Sequence, residues 1–169
     1  ILKRIFGEDR VLARLFSTPL IFSSHFSGLG TLEVALSMLS VAGQTAMRAK
    51  FQIHTAYACE KSLHCQRVLL RRMQGGCVFK NILDRLADIP MDFRKHGRLN
   101  FDLACAAVMS ARVQSSGMCA MHQAPCTASA VYGDVSGSPC TPWARTVGGT
   151  RLGRQHPYTA LLVAWCALM

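Results

Sequence analysis

Acidic residues are scarce in this chain: nine Asp and Glu stand against 19 Lys and Arg, a net charge of +10. That excess favours polyanionic partners, nucleic acid first among them, with a basic, soluble surface as the plain alternative. Charged residues as a whole make up only 17% and half of the chain is hydrophobic, so wholesale disorder is excluded. No run approaches the ~18 uninterrupted apolar residues of a membrane span, so no membrane partner is expected. The chain holds eight cysteines but no CxxC pair. A secreted disulfide framework is usually denser and sits in a smaller chain, so a reducing compartment is expected. His54, Cys59, His64 and Cys65 are candidate metal ligands by type. Their spacing matches no common zinc pattern, and a strand-to-helix split scatters the side chains, so no metal ligands are assigned.

The opening Ile1-Leu2-Lys3-Arg4-Ile5-Phe6 has no Met and soon meets Glu8-Asp9-Arg10, which is not the pattern of a signal peptide. The closing run Thr159 to Met169 has helical character without a C-cap glycine or a polar last turn. Both ends lead to the expectation that the chain is a piece of something longer.

What is present is an alternation of strands and helices. Residues 1–19 form a basic lead-in, with a helix expected over Ile5–Phe16 and a stop at Pro19. Leu20–Phe26 predicts a strand, Gly28-Leu29-Gly30 a turn, and Thr31–Ala42 a helix with Leu32, Ala35, Leu36 and Leu39 on one face. A second strand follows at Phe51–Ala58, then a basic amphipathic helix at Lys61–Met73 broken by Gly75-Gly76. Cys77–Phe79 is a short third strand, and Asn81–Ala87 one or two helical turns. Residues 88–129 interrupt the pattern and predict an insertion or a poorly ordered segment, with a helix at Phe101–Val113. Ala130–Ser136 is the fourth strand, and a last helix begins near Pro157. This order predicts an α/β fold, a Rossmann-like doubly wound sheet, as one domain over residues 20–169.

Chemistry is expected where strands end. Phe26-Ser27-Gly28-Leu29-Gly30 joins a strand to a helix, and its glycines let the backbone approach a ligand at a helix N-terminus. The full GxGxxG fingerprint fails because Glu33 stands at the third glycine, which argues against a pyrophosphate cofactor and leaves a nucleoside-type one. Glu60 ends the second strand, where a carboxylate can accept from adjacent ribose hydroxyls. Asn81 ends the third and offers an amide to an adenine edge, with Asp84 one turn later as a second candidate. After the fourth strand comes Gly137-Ser138-Pro139-Cys140-Thr141-Pro142-Trp143-Ala144. A stiff proline directly before Cys140 presents the thiol instead of packing it, which makes Cys140 a candidate nucleophile. Arg145, Arg151 and Arg154 follow on a glycine-rich loop suited to phosphate contacts or to plain solvation.

In this order, the set resembles the DNA (cytosine-5) methyltransferase family. The resemblance rests on Phe26–Gly30, Cys59-Glu60, Val78–Asp84 and the octapeptide around Pro139-Cys140, and covers about Leu20 to Met169. It implies S-adenosyl-L-methionine as cofactor, with its methionine part near Phe26–Gly30, its ribose on Glu60 and its adenine near Asn81 and Ile82. It implies a target cytosine flipped out of DNA, since its reactive carbons are inaccessible in the stack. The Cys140 thiolate would add to ring carbon 6, carbon 5 would take the methyl group, and elimination would restore the ring. A thiol titrates near ~8.5, so the site must favour the thiolate. The same motif set also occurs in proteins acting on tRNA. A DNA substrate implies the nucleus, a tRNA substrate the cytoplasm as well.

Three departures qualify the implication. Asn81 replaces the acid common at the adenine position, and Thr141 stands where Gln is common. The Glu-Asn-Val motif that supplies the family's proton donor occurs nowhere in the chain, nor does the Gln-x-Arg-x-Arg strand beyond it. The expectation is therefore a fragment or a degenerate copy, needing the missing C-terminal half of the catalytic domain, with no turnover by these residues alone. The alternative is a non-catalytic nucleic-acid-binding or interaction remnant of that fold. A thiol-redox role for Cys140 is a weaker third reading, because no resolving cysteine lies close in sequence.

Overall fold

The computed structural model describes residues 17–47, 52–73, 75–88, 100–138, 156 and 158–169. Strand β1 (Leu20–His25) leads through the glycine turn into helix α1 (Thr31–Met47). Strand β2 (Ile53–Cys59) and helix α2 (Leu63–Arg72) repeat the unit, and strand β3 (Cys77–Phe79) follows. A 3-10 turn (Ile82–Arg85) and strand β4 (Leu86–Ala87) come next. Beyond them lie helix α3 (Phe101–Ser110) and strands β5 (Arg112–Val113), β6 (Ser116–Met118) and β7 (Pro125–Thr127). Strand β8 (Gly133–Ser136) and helix α4 (Thr159–Leu168) complete the described elements.

The main sheet is parallel, in the order β3-β2-β1-β8. The chain steps outward from β1 to β3, then returns to pair β8 on the other side of β1. That reversal is a topological switch point, and in open α/β sheets ligands sit outside the carboxyl ends of the strands there. Alternation along the strands builds a core on each face. Ala58 and Val78 point to one side and pack with Leu69 and Met73 at the α2 end. Tyr57, Cys59 and Phe79 point to the other and pack with Ala104 and Val108 of α3 and Ala160 and Ala164 of α4. Helices thus cover both faces of the described sheet. The structure is α/β with a four-stranded parallel sheet, compatible with a Rossmann-like fold.

Within the segment expected to be an insertion or poorly ordered, the described part (residues 100–129, the insertion below) is folded, while residues 89–99 lie outside the described residues. Residues 100–129 carry one helix and three short strands. Asn100 caps α3, its side chain accepting from the Leu103 N–H at 3.2 Å. Ala104 and Val108 then give that helix its buried stripe. Arg85 is also buried, stacked 5.6 Å from the Tyr57 ring and 5.8 Å from the Phe79 ring, with Nε donating to the Gln114 carbonyl. Weak sequence periodicity hid this order, because the strands are only two or three residues long. Several elements are bounded differently from expectation: α3 stops at Ser110 instead of Val113, and β8 starts at Gly133 instead of Ala130. α1 runs to Met47, past Ala42, and Asn81–Ala87 splits into the 3-10 turn and β4. The expected lead-in helix over 5–16 lies outside the described residues.

Candidate ligand site at the strand ends

Four of the residues singled out for a cofactor line one cavity of about 490 Å³: Phe26 after β1, Glu60 after β2, and Asn81 and Ile82 after β3. Gly137, which follows β8, lines it too, and Tyr158 and Leu161 at the start of α4 close it from the side. All four strands of the parallel sheet therefore send a residue to the same place. The remaining predicted residues, Ser27, Gly28, Leu29 and Gly30, build the turn beside it. A larger cavity of about 650 Å³ lies between α1, the start of β2 and the end of α2. None of the predicted residues lines it and it is away from the strand ends, so the smaller cavity is the candidate site.

The turn is held from three directions. The Ser27 N–H donates to the Cys59 carbonyl at 3.3 Å, and the Gly30 N–H to the Ser27 carbonyl at 3.0 Å. Arg72 Nη1 donates to the Leu29 carbonyl at 2.9 Å. Phe26 adopts φ 55°, an uncommon value for a bulky side chain and one that points to a functional constraint. Gly30 has φ +77°, and a Cβ there would lie 2.9 Å from Leu69 Cδ2. Gly30→Ala is accordingly expected to lower stability by about 1–2 kcal/mol, the left-handed penalty being compounded by the contact. Urea unfolding followed by circular dichroism measures it. An unchanged midpoint would mean that the turn relaxes freely.

Glu60 is oriented by the backbone. Its Oε2 accepts from the Gly28 N–H at 2.8 Å and its Oε1 from the Ser62 N–H at 2.7 Å. Each carboxylate oxygen has two acceptor sites, so one remains on each for a vicinal diol. Asn81 caps the 3-10 turn, with Oδ1 accepting from the Leu83 N–H at 3.1 Å. Its NH2 is the half of the amide left to donate to a ring nitrogen. Cys59 also lines the cavity, but burial pushes its thiol far up, which keeps it a neutral wall and not a nucleophile. At the vanished third glycine, Glu33 is buried in the first turn of α1 and accepts from Ser24 Oγ at 2.5 Å. A carboxylate at that helix start opposes a pyrophosphate, in keeping with the reading of the incomplete fingerprint.

Sequence reading missed the polar hub beneath this site. Asp134 on β8 accepts from Ser23 Oγ, from His25 Nδ1 at 2.9 Å and from Trp165 Nε1 at 2.7 Å. Ser23 and His25 are buried. Burial alone would push the Asp134 carboxyl up, but the hydrogen bonds from His25, Ser23 and Trp165 together hold it below the ordinary value. The hub fixes β8 against β1 and α4. The Gly137 N–H then donates to the His25 carbonyl at 3.1 Å, which sets where the chain leaves β8 toward Pro139. The one signal in the sequence was a lone acid in an otherwise apolar and small-residue strand.

Pro139, Cys140, Arg145, Arg151 and Arg154 lie outside the described residues. Of the early metal candidates, His54 and Cys59 fall at opposite ends of β2, and His64 and Cys65 on α2. A different set, Cys77, Cys119, His122 and Cys126, comes together instead, with all four ligand atoms within 4.8 Å of one another. Among the described residues, no helix is long and apolar enough to cross a membrane. No family model, curated protein or solved structure matches this chain.

Proposed function

We propose that this chain is the cofactor-binding part of a DNA cytosine-5 methyltransferase, with S-adenosyl-L-methionine in the strand-end cavity. The observation that carries the reading is convergence. Phe26, Glu60, Asn81 and Ile82 are far apart in sequence, were singled out for one ligand, and line one cavity with Gly137, three residues before Cys140. A volume of about 490 Å³ lies within the range of small-molecule sites. The donors and acceptors also fit a nucleoside. Glu60 offers one acceptor on each carboxylate oxygen to the ribose hydroxyls, the Asn81 NH2 a donor to the adenine edge, and Phe26 and Ile82 apolar walls to the ring.

When bound, the cofactor supplies an activated methyl group. The chain's own part is to hold and to expose. Glu60, fixed by Gly28 and Ser62, orients the ribose. The turn at Phe26–Gly30 takes the methionine part. Once the missing C-terminal half supplies the acid that protonates the ring, the Cys140 thiolate would add through Sγ to carbon 6 of a flipped cytosine and raise electron density at carbon 5; these residues alone give no turnover. Arg145, Arg151 and Arg154 neutralise phosphates of the DNA, in keeping with the +10 charge. A DNA substrate implies the nucleus, with the cytoplasm as the alternative.

Calorimetry on the folded chain with S-adenosylhomocysteine at up to millimolar concentration tests the reading. Saturable heat at one site is expected, with none for NAD at the same concentration, because Glu33 opposes its pyrophosphate. A folded sample giving no heat with S-adenosylhomocysteine overturns the cofactor assignment and leaves the non-catalytic remnant as the better account.

A further inference from the structure

We propose that Cys77, Cys119, His122 and Cys126 bind a structural zinc ion. His122 Nδ1 lies 3.4 Å from Cys119 Sγ, 3.2 Å from Cys126 Sγ and 3.8 Å from Cys77 Sγ. Zn–S bonds of about 2.3 Å and Zn–N bonds of about 2.0–2.1 Å give a tetrahedron with S···N edges of about 3.6 Å and S···S edges of about 3.8 Å. The three S···N separations straddle that edge. No separation within the set exceeds 4.8 Å, so closing on an ion takes movements of about 1 Å or less. Three thiolates and an imidazole are a borderline-soft set of four, which suits zinc. Four protein ligands leave no position open for water or substrate, which makes the site structural and not catalytic. Binding through Nδ1 leaves the ring proton of His122 on Nε2.

The backbone already presents three of the ligands on one tight turn. The Cys119 N–H donates to the Ala124 carbonyl at 3.0 Å, and Gln123 Nε2 to the Ala120 carbonyl at 2.5 Å. Gln123 sits at φ 52°, which reverses the chain between His122 and Cys126. The fourth ligand comes from the sheet. Cys77 opens β3, the edge strand of the described sheet, and this turn lies against it. The Ala120 N–H donates to the Val78 carbonyl at 2.7 Å, and Phe79 and Cys119 form an antiparallel bridge.

The ion therefore joins the insertion to β3. That meets a physical need: the insertion's helix packs on the core, but its strands of two and three residues bury little apolar surface, and a metal is one of the devices that complete such units. The other end of β3 leads to Asn81 and Ile82 of the ligand cavity, so the same ion steadies that wall.

The test uses the whole chain, produced with zinc in the medium and purified under reducing conditions. Elemental analysis is expected to find one zinc ion per chain, and cobalt substitution to give the absorption of a tetrahedral thiolate site. Cys126→Ser and His122→Ala should each lower zinc affinity at least tenfold, while Cys65→Ser, on α2, retains it. Loss of a ligand can also unfold the insertion, so His122→Cys serves as the second variant. It restores four ligands and should keep the metal, with added thiolate-to-cobalt intensity. A folded, fully reduced chain that retains less than about a tenth of an equivalent after incubation with zinc overturns the proposal. So does a metal-free chain in which two of the three cysteines are joined as a disulfide, or unchanged zinc content in both Cys126→Ser and His122→Ala.

Discussion

Asp134→Ala is expected to cost about 3–5 kcal/mol, the largest effect of any single substitution considered for this fold. Three donors converge on that carboxylate, from Ser23, His25 and Trp165, and the first two are buried. Truncation leaves each donor without its acceptor, at roughly 1–3 kcal/mol per buried group. Against a total stability of about 5–15 kcal/mol, that is enough to unfold much of the population at 37 °C. The melting temperature should fall by roughly 10 °C or more. Asp134→Asn should cost less. An amide can accept from Trp165 through its oxygen and donate to Ser23 and His25 through its nitrogen, because the hydroxyl can rotate and the imidazole can change tautomer. Urea unfolding of both variants measures the difference. An Ala variant with the wild-type midpoint would show that water replaces the carboxylate at no cost.

The same hub gives a pH dependence of definite sign. The Asp134 carboxyl is held below its ordinary value in the folded chain, so the unfolded chain binds its proton more readily. The contribution is present in full above the unfolded value of about 3.9 and is lost as pH falls through the lower, folded value. Wild type and Asp134→Asn should therefore differ most near neutral pH and converge in strong acid.

Glu60→Ala is expected to weaken S-adenosylhomocysteine binding about 100-fold, with a stability loss of only about 1–2 kcal/mol. Two charge-assisted hydrogen bonds to a ribose are worth roughly 3 kcal/mol together when water is excluded, which is that factor of 100. The structural cost is smaller because the Gly28 and Ser62 N–H groups lie in a partly exposed turn and can turn to water. An analogue lacking one ribose hydroxyl separates the two roles. It should bind wild type more weakly than the parent ligand and bind Glu60→Ala equally well, so the two losses are not additive. A folded Glu60→Ala chain that binds with wild-type affinity removes the ribose assignment while leaving the cavity itself in place.

Much of the sheet is legible in the sequence. The runs Leu20–Phe26, Phe51–Ala58 and Cys77–Phe79 were bounded by glycine turns or by basic helices, and they are β1, β2 and β3 within two residues. The strand-end residues of the cavity were legible for the same reason. In a parallel sheet every carboxyl end opens onto one edge, so order along the chain fixes which residues can share a site. The insertion was not legible. Its helix was expected to run on to Val113 but stops at Ser110, and its strands fall below the length at which alternation can be read.

The sequence by itself determined the alternation of strands and helices, the strand ends that meet at one cavity, and the failure of the pyrophosphate fingerprint at Glu33. These are local properties: periodicity, turn chemistry and residue type at a known end of a strand. Only the tertiary structure decided which cysteines meet. His54, Cys59, His64 and Cys65 are close in sequence, yet β2 and α2 hold them apart. Cys77 joins Cys119, His122 and Cys126, far along the chain and beyond several elements, because the insertion pairs with the edge of β3. The same holds for Asp134, whose three partners come from two other elements. Local spacing places Cys119, His122 and Cys126 on one turn, but the meeting of that turn with Cys77, like that of Asp134 with its partners, depends on which elements pack together.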